Sequence, residues 1–129
     1  PLPRLGVSRH VIVAETDAEA MTSARRAYKL WRERLMHLWV KHGTKPASLA
    51  FPEDFEQAQA AGLGIAGSPA TVRQWVEEEV ARTGINYLVC RLAYGDLGYE
   101  ESIRSTRLFG SHVLAPLRRS AAACEALAA

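Results

Sequence analysis

Cysteines, long hydrophobic runs and metal-ligand clusters are scarce in this sequence, and each scarcity excludes a class of protein. The two cysteines, Cys90 and Cys124, are too few for a disulfide-stabilised secreted domain. No Cys/His set has the spacing of a zinc site. No apolar run approaches the roughly 20 residues that span a bilayer, and no signal-peptide pattern occurs. We therefore expect a cytoplasmic protein with no metal and no membrane partner.

Charge and catalytic motifs are equally sparse. The net charge is only +2, which by itself decides nothing about nucleic acid. The basic cluster at 25–34 has helical spacing and is interpreted as a solvated helix face, so no nucleic-acid partner is expected. The sequence has no Gly-x-Gly-x-x-Gly, no nucleophile elbow and no Walker loop. Its four histidines have no partners at catalytic spacing, so the catalytic residues stay unknown.

What the sequence does contain is an alternation of apolar runs and helical patterns. Strands are predicted at 11–14, 63–66 and 86–92, and both faces of the last should be covered because its run at 87–90 is apolar throughout. Helices are predicted at about 17–42, 52–62 and 69–84, with a loop at 44–50. A last helix starts near Tyr99, and Pro116 should kink or end it. This order favours βαβ units with a parallel sheet, and one α/β domain over residues 1–129.

Gly67, Ser68 and Pro69 form the most site-like feature, because they join a predicted strand to a predicted helix. Serine at the cap and proline at the first helical position are typical of a helix start, where the positive helix end favours an anion. The free donors are the amides of Gly67, Ser68, Ala70 and Thr71. The helix carries no acid before Glu77, so no internal carboxylate is expected to compete. The alternative is an ordinary capped helix.

The loop that follows the last predicted strand should lie at the same end of the sheet. Within it, Arg91 is a candidate for binding an anion or for pairing with a neighbouring carboxylate. Tyr94 is a candidate for lining a pocket or for packing at its rim. In (β/α)8 barrels the phosphate site commonly lies in the loops after the last two strands. These positions therefore favour a phosphate site built from Gly67, Ser68, Ala70 and Thr71, with Arg91 as a fifth candidate.

Four stretches, in order along the chain, resemble luciferase-like flavin-dependent monooxygenases. They are residues 10–20, the Gly-Ser-Pro-Ala-Thr-Val turn at 67–72, the strand at 84–91, and the stretch that begins Tyr94-Gly95-Asp96-Leu97. The resemblance implies a (β/α)8 TIM barrel, of which this chain would supply about strands 6 to 8. It also implies reduced FMN, or a deazaflavin in one branch, with its phosphate held partly by Gly67 and Ser68. Ala70 departs from the family's usual acid at that position.

The resemblance also implies partners and alternatives. The partners would be a small organic substrate, O2 and a separate flavin reductase. Three strands cannot close a barrel, so we expect two open edges and an uncovered apolar face. A missing N-terminal barrel half, or a second copy, would complete them, and the isolated chain should be inactive. The alternatives are a non-catalytic half-barrel that binds flavin or a partner chain, and a deazaflavin-dependent oxidoreductase.

Overall fold

Residues 3–46 and 51–128 are described by a computed structural model of the chain, with side chains as far as Ala121. The predicted alternation of strands and helices is confirmed. Of the predicted loop at 44–50, residues 47–50 lie outside the described residues. The elements are β1 (Gly6–Val13), α1 (Asp17–Lys41), α2 (Phe55–Ala60), β2 (Gly64–Gly67), α3 (Pro69–Thr83), β3 (Tyr87–Arg91), α4 (Tyr99–Leu108), a π-helical segment (Phe109–Leu114) and α5 (Ala115–Ala128).

The three strands form one parallel sheet in the order β2-β1-β3. The amino-terminal half of β1 pairs with β3, from Gly6 opposite Tyr87 to His10 opposite Arg91. Its carboxyl-terminal half pairs with β2, from His10 opposite Gly64 to Val13 opposite Gly67. A parallel α/β sheet is confirmed. Consecutive strands of a (β/α)8 barrel would instead lie in the order β1-β2-β3, and here β1 is central.

This strand order places helices on both faces of the sheet. The right-handed crossover from β1 to β2 places its helices on one face of the sheet. The crossover from β2 to β3 passes β1 in the opposite direction, so it places its helix on the other face. Ile12 packs under α1 and α2, whereas its neighbours Val11 and Val13 face the other way, against α3 and the π-helical segment. All three side chains are at most 4% exposed. The expectation of an uncovered apolar face is therefore wrong for the central strand.

Strand β3 also differs from its prediction, because one of its two faces is exposed. Leu88 and Cys90 pack against the core on the α3 side, but Tyr87 is 49% and Val89 is 43% exposed. The prediction that both faces would be covered is wrong, because β3 is an edge strand and α1 lies over β1 and β2 instead. An apolar run without alternation does not distinguish an edge strand from a strand that is covered on both faces.

The last helical stretch continues past Pro116 rather than ending there. The π-helical segment directly precedes α5, and the Ala115 amide donates to the Gly110 carbonyl, five residues back. A π-helical turn shifts the hydrogen-bond register, which lets the helix accommodate a residue that has no amide hydrogen to donate. Val113, inside this segment, is fully buried against the core.

Candidate functional site

The start of α3 has the geometry that the sequence predicts. Ser68 is the N-cap residue with extended backbone, and Pro69 occupies the first helical turn. The Ser68 hydroxyl accepts the Thr71 amide at 3.4 Å and lies 3.1 Å from the Thr71 hydroxyl. Amides and hydroxyls therefore converge on the positive end of a helix of 15 residues, which suits a negatively charged oxygen.

A carboxylate from another helix already lies at this turn. The Ser68 amide donates to Oδ1 of Asp17 at 2.6 Å, and Asp17 is the first residue of α1. The expectation that no internal carboxylate competes is therefore wrong. Because β1 and β2 are neighbouring parallel strands, their carboxyl ends meet, and the residue that starts α1 reaches the turn that follows β2.

The pKa of the Asp17 carboxyl shows that the turn favours a negative charge. The Ser68 amide, followed by the hydroxyls of Thr71 and Ser68, holds the pKa of the Asp17 carboxyl below its ordinary value. Hydrogen bonds to the charged form of a carboxylate stabilise that form. The turn therefore stabilises the charged Asp17 carboxylate, whose place a phosphate would have to take.

Gly67 is required by close packing in this turn. A Cβ atom at this position would lie 2.8 Å from Cγ2 of Thr71 and 3.0 Å from Oδ1 of Asp17. Ala70 is exposed in the first turn of α3. Four of the predicted cofactor-binding residues thus belong to a single turn: Gly67, Ser68, Ala70 and Thr71.

Arg91, the fifth predicted cofactor-binding residue, lies apart from this turn. It ends β3 opposite His10, whereas Gly67 ends β2 opposite Val13 on the other side of β1. Its guanidinium lies over the Trp31 ring, 5.5 Å from the ring centroid. Its Nε atom is buried without a hydrogen-bond partner among the described residues. The strand order β2-β1-β3 therefore separates the two parts of the predicted phosphate site.

Arg91 instead belongs to a second polar group, the His10 cluster, which comprises His10, Trp31, Arg91 and Tyr94. His10 is 2% exposed, and its ring lies 4.2 Å from Trp31 and 4.3 Å from Tyr94, measured between centroids. Burial, reinforced by the Arg91 charge, lowers the pKa of His10 to about 3. Within the described part of the chain, His10 Nε2, the Tyr94 hydroxyl and Arg91 Nε are buried without partners.

The His10 cluster was missed by the sequence reasoning, which considered Arg91 and Tyr94 but set His10 aside. Buried polar atoms normally have hydrogen-bond partners, so three unpartnered atoms in one cluster favour binding of a small polar molecule or water. The signal in the sequence is His10 immediately before the apolar Val11-Ile12-Val13 run. His10 can be assigned to a cluster with Arg91 only once the pairing of β3 with β1 is known.

A cleft of about 410 Å³, which we call the switch-point cleft, lies at the carboxyl end of β1. It arises because β3 stops opposite His10 while β1 continues to Val13. Helix α4 occupies part of the space beside β1 beyond the end of β3, and the Ser105 hydroxyl accepts the Val13 amide at 2.9 Å. The lining residues are Ile12, Val13, Ala14, Ala18, Glu19, Thr22, Ser23, Leu97, Glu101, Arg104 and Ser105.

Membrane-spanning helices and metal sites are both absent from the part of the chain that the structure describes. Throughout residues 3–46 and 51–128, none of the helices is both long enough and apolar enough to cross a membrane. In the described part of the chain, no group of three or more His, Cys, Asp or Glu side chains could hold a metal ion. The turn at residues 67–71, which we call the Ser68 turn, is one of three candidate sites among the described residues. The other two are the His10 cluster and the switch-point cleft.

Comparison with known proteins relates the fold to a monooxygenase. No family model matches the sequence. The structure resembles that of monooxygenase RslO1 from Streptomyces bottropensis, with a TM-score of 0.66 and 23% identity over 91% of this chain and 32% of that one. It also resembles apo-MsnO8, with a TM-score of 0.52 and 28% identity over 88% of this chain and 35% of that one. The chain shares its fold with part of a monooxygenase.

A sequence relative adds a third comparison. The protein described as uncharacterized protein y4wF of Sinorhizobium fredii (strain NBRC 101917 / NGR234) is 27% identical over 110 residues, which make up 85% of this chain and 32% of the relative. The chain thus spans about a third of the length of this relative and of both solved structures.

Proposed function

We propose that this chain supplies the flavin-phosphate-binding part of an FMN-dependent, luciferase-like monooxygenase. The observation that carries the proposal is the turn at Ser68, where the described residues already bind the Asp17 carboxylate through the Ser68 amide. An amide and two hydroxyls at a helix start offer the same kind of donors to a phosphate oxygen. The fold shared with part of monooxygenase RslO1 supports the same proposal.

In this proposal each part of the site has a limited task. Ser68 and Thr71 hold the phosphate, and Gly67 leaves space at the turn for their close packing. The His10 cluster offers buried donors and acceptors beside aromatic rings on one face of the sheet. Reduced FMN bound at this turn would supply the O2-dependent chemistry for oxygenating a small organic substrate. The flavin reductase and the remaining strands of a barrel are the proposed partners.

A second candidate is a flavin-binding module that catalyses nothing. The strand order β2-β1-β3 favours it, because helices cover both faces of β1 and the sheet needs no further strand to bury its centre. Doubly wound sheets bind their ligands outside the carboxyl ends of the strands, and the Ser68 turn lies at that end of the sheet. Both candidates use the same turn, and a deazaflavin would use it as well. Monooxygenase turnover with reduced FMN separates them when it is measured with the remaining barrel strands present, because the isolated chain is expected to be inactive.

Affinity for FMN should depend on competition between the Asp17 carboxylate and the FMN phosphate for the same hydrogen-bond donors. We expect the chain to bind FMN about tenfold more tightly than riboflavin, which lacks the phosphate, because charged hydrogen bonds contribute about 1.5–3 kcal/mol. Asp17→Asn should tighten FMN binding about tenfold and leave riboflavin unchanged, since it removes a competing charge. Ser68→Ala should weaken FMN binding. Flavin-fluorescence titration measures all three.

The matched control is Asp54→Asn. Asp54 caps α2 by accepting the Gln57 amide at 2.8 Å, so this variant removes an equivalent charge from another helix start. It should leave FMN affinity unchanged. Equal affinity for FMN and riboflavin, or equal effects of the two aspartate variants, would contradict the assignment of the phosphate to this turn.

A further inference from the structure

The switch-point cleft lies where a sheet of this order is expected to bind ligands. In open α/β sheets, ligands bind outside the carboxyl ends of the strands, at the point where neighbouring strands send their connections to opposite sides. In the order β2-β1-β3 that point lies between β1 and β3. The cleft lies there, and its volume of about 410 Å³ is within the usual range for small-molecule sites. The proposed flavin-phosphate turn contributes none of its lining.

Most of the polar groups in the cleft are already engaged. Glu101 accepts the Ser23 hydroxyl at 3.2 Å, Arg26 at 2.6 Å and the Gly98 amide at 3.0 Å. The Gly98 amide, followed by the Arg26 guanidinium, holds the pKa of the Glu101 carboxyl below its ordinary value. Glu101 thus joins α4 to α1 and forms a structural wall of the cleft.

Two opposite charges in the lining remain available. Glu19 lies in the first turn of α1 and Arg104 lies in α4. The Glu19 amide donates to the Thr16 hydroxyl, but the Glu19 carboxylate does not accept the Thr16 amide. Neither charged side chain has a hydrogen bond or ion pair with another described residue, and they are not paired with each other. Both are exposed at the cleft.

The rest of the lining combines an apolar floor with hydroxyl groups. Ile12, Ala14, Ala18 and Leu97 supply apolar surface. The Ser105 oxygen accepts the Val13 amide, which leaves its hydroxyl hydrogen available as a donor. A ligand for this cleft therefore needs a short apolar body, a negative group for Arg104 and a positive group for Glu19.

We propose that the switch-point cleft binds a small zwitterion, an α-amino acid with an aliphatic side chain. Its carboxylate pairs with Arg104, for which a guanidinium fork is well suited. Its ammonium group pairs with Glu19, and its side chain lies on the apolar floor. An acid without the ammonium group would leave Glu19 facing a negative ligand, and an amine would leave Arg104 facing a positive one. This inference is independent of flavin binding.

The test is a ¹⁵N–¹H NMR titration of the full chain with leucine, with 4-methylpentanoate, which lacks the amino group, and with 3-methylbutylamine, which lacks the carboxylate. Leucine should shift the amide signals of Thr22, Ser23 and Ser105 and bind about tenfold more tightly than either analogue. Glu19→Gln and Arg104→Gln should each weaken leucine binding about tenfold. Arg107→Gln, an exposed change in α4 outside the cleft, should have no effect.

The outcomes separate cleanly. Equal binding of leucine and either analogue would overturn the zwitterion assignment. So would equal effects of Arg104→Gln and Arg107→Gln, or the absence of localised shifts up to the solubility limit of leucine. Far-UV circular dichroism of each variant confirms that it is folded. If FMN fails to bind while leucine binds as expected, only the proposed function is rejected.

Discussion

Replacing Gly95 with alanine is expected to destabilise the fold by about 3 kcal/mol or more, since it combines backbone strain with a severe overlap. Gly95 has a φ of 63°, in the left-handed region that favours glycine. A Cβ atom there would lie 2.0 Å from the carbonyl oxygen of Ala27 in α1. The clash involves backbone, which cannot move aside as a flexible side chain could. The contact holds the loop after β3 against α1, and that loop carries Tyr94 and Leu97.

Gly84→Ala is the matched control for this prediction. Gly84 ends α3 with a φ of 70°, but no atom lies within 4 Å of its Cβ position. The control should therefore cost only about 1 kcal/mol, for backbone conformation alone. Urea unfolding followed by circular dichroism gives both values. Similar losses for the two variants would show that the loop does not pack on Ala27.

Acidification from pH 6.5 to about pH 5 is expected to destabilise the chain by about 2 kcal/mol through His10 alone. The folded pKa of His10 is about 3, below the model-peptide value of about 6.5. Below pH 6.5 the unfolded chain therefore binds a proton that the folded chain does not. Each pH unit in this window costs about 1.4 kcal/mol. The contribution is fully present above pH 6.5 and is lost as pH falls toward 3.

His10→Phe tests whether His10 causes this pH dependence of stability. Phenylalanine keeps an aromatic ring beside Trp31 and Tyr94 but cannot titrate. The variant should lose most of the pH dependence between pH 6.5 and about 5. The carboxyls with lowered pKa values, Asp17, Glu56 and Glu101, act at lower pH and should not obscure it. Unfolding free energies from urea titrations at several pH values provide the measurement. An unchanged slope in His10→Phe would contradict the burial of His10.

Local features of the fold could be predicted from the sequence. Ser68 and Pro69 give the start of α3 because N-cap and first-turn preferences act within a few residues. The predicted ends of the second and third strands lie within one residue of the observed ends. The amino-terminal half of β1 was missed because residues 6–9 are largely exposed or partly exposed and contain polar side chains. Their strand conformation comes from pairing with β3, some 80 residues away.

Strand order could not be predicted in the same way, and the site depends on it. Pairing of β3 with β1 separates Arg91 from Ser68 and places it beside His10 and Trp31. Asp17 and Ser68 are 51 residues apart in sequence, and nothing local indicates that they meet. The first turn of α3 has no acid of its own, as predicted, yet a carboxylate arrives from α1. Long-range pairing thus determines which groups share a site.

We propose that the Ser68 turn is an oxyanion site at which phosphate and the Asp17 carboxylate compete. A crystal structure of the chain grown with FMN is the most direct test. We expect a phosphate oxygen within hydrogen-bonding distance of the Ser68 and Thr71 amides, with the Asp17 carboxylate turned away from Ser68. Bound FMN elsewhere, with Asp17 still accepting the Ser68 amide at 2.6 Å, would contradict it.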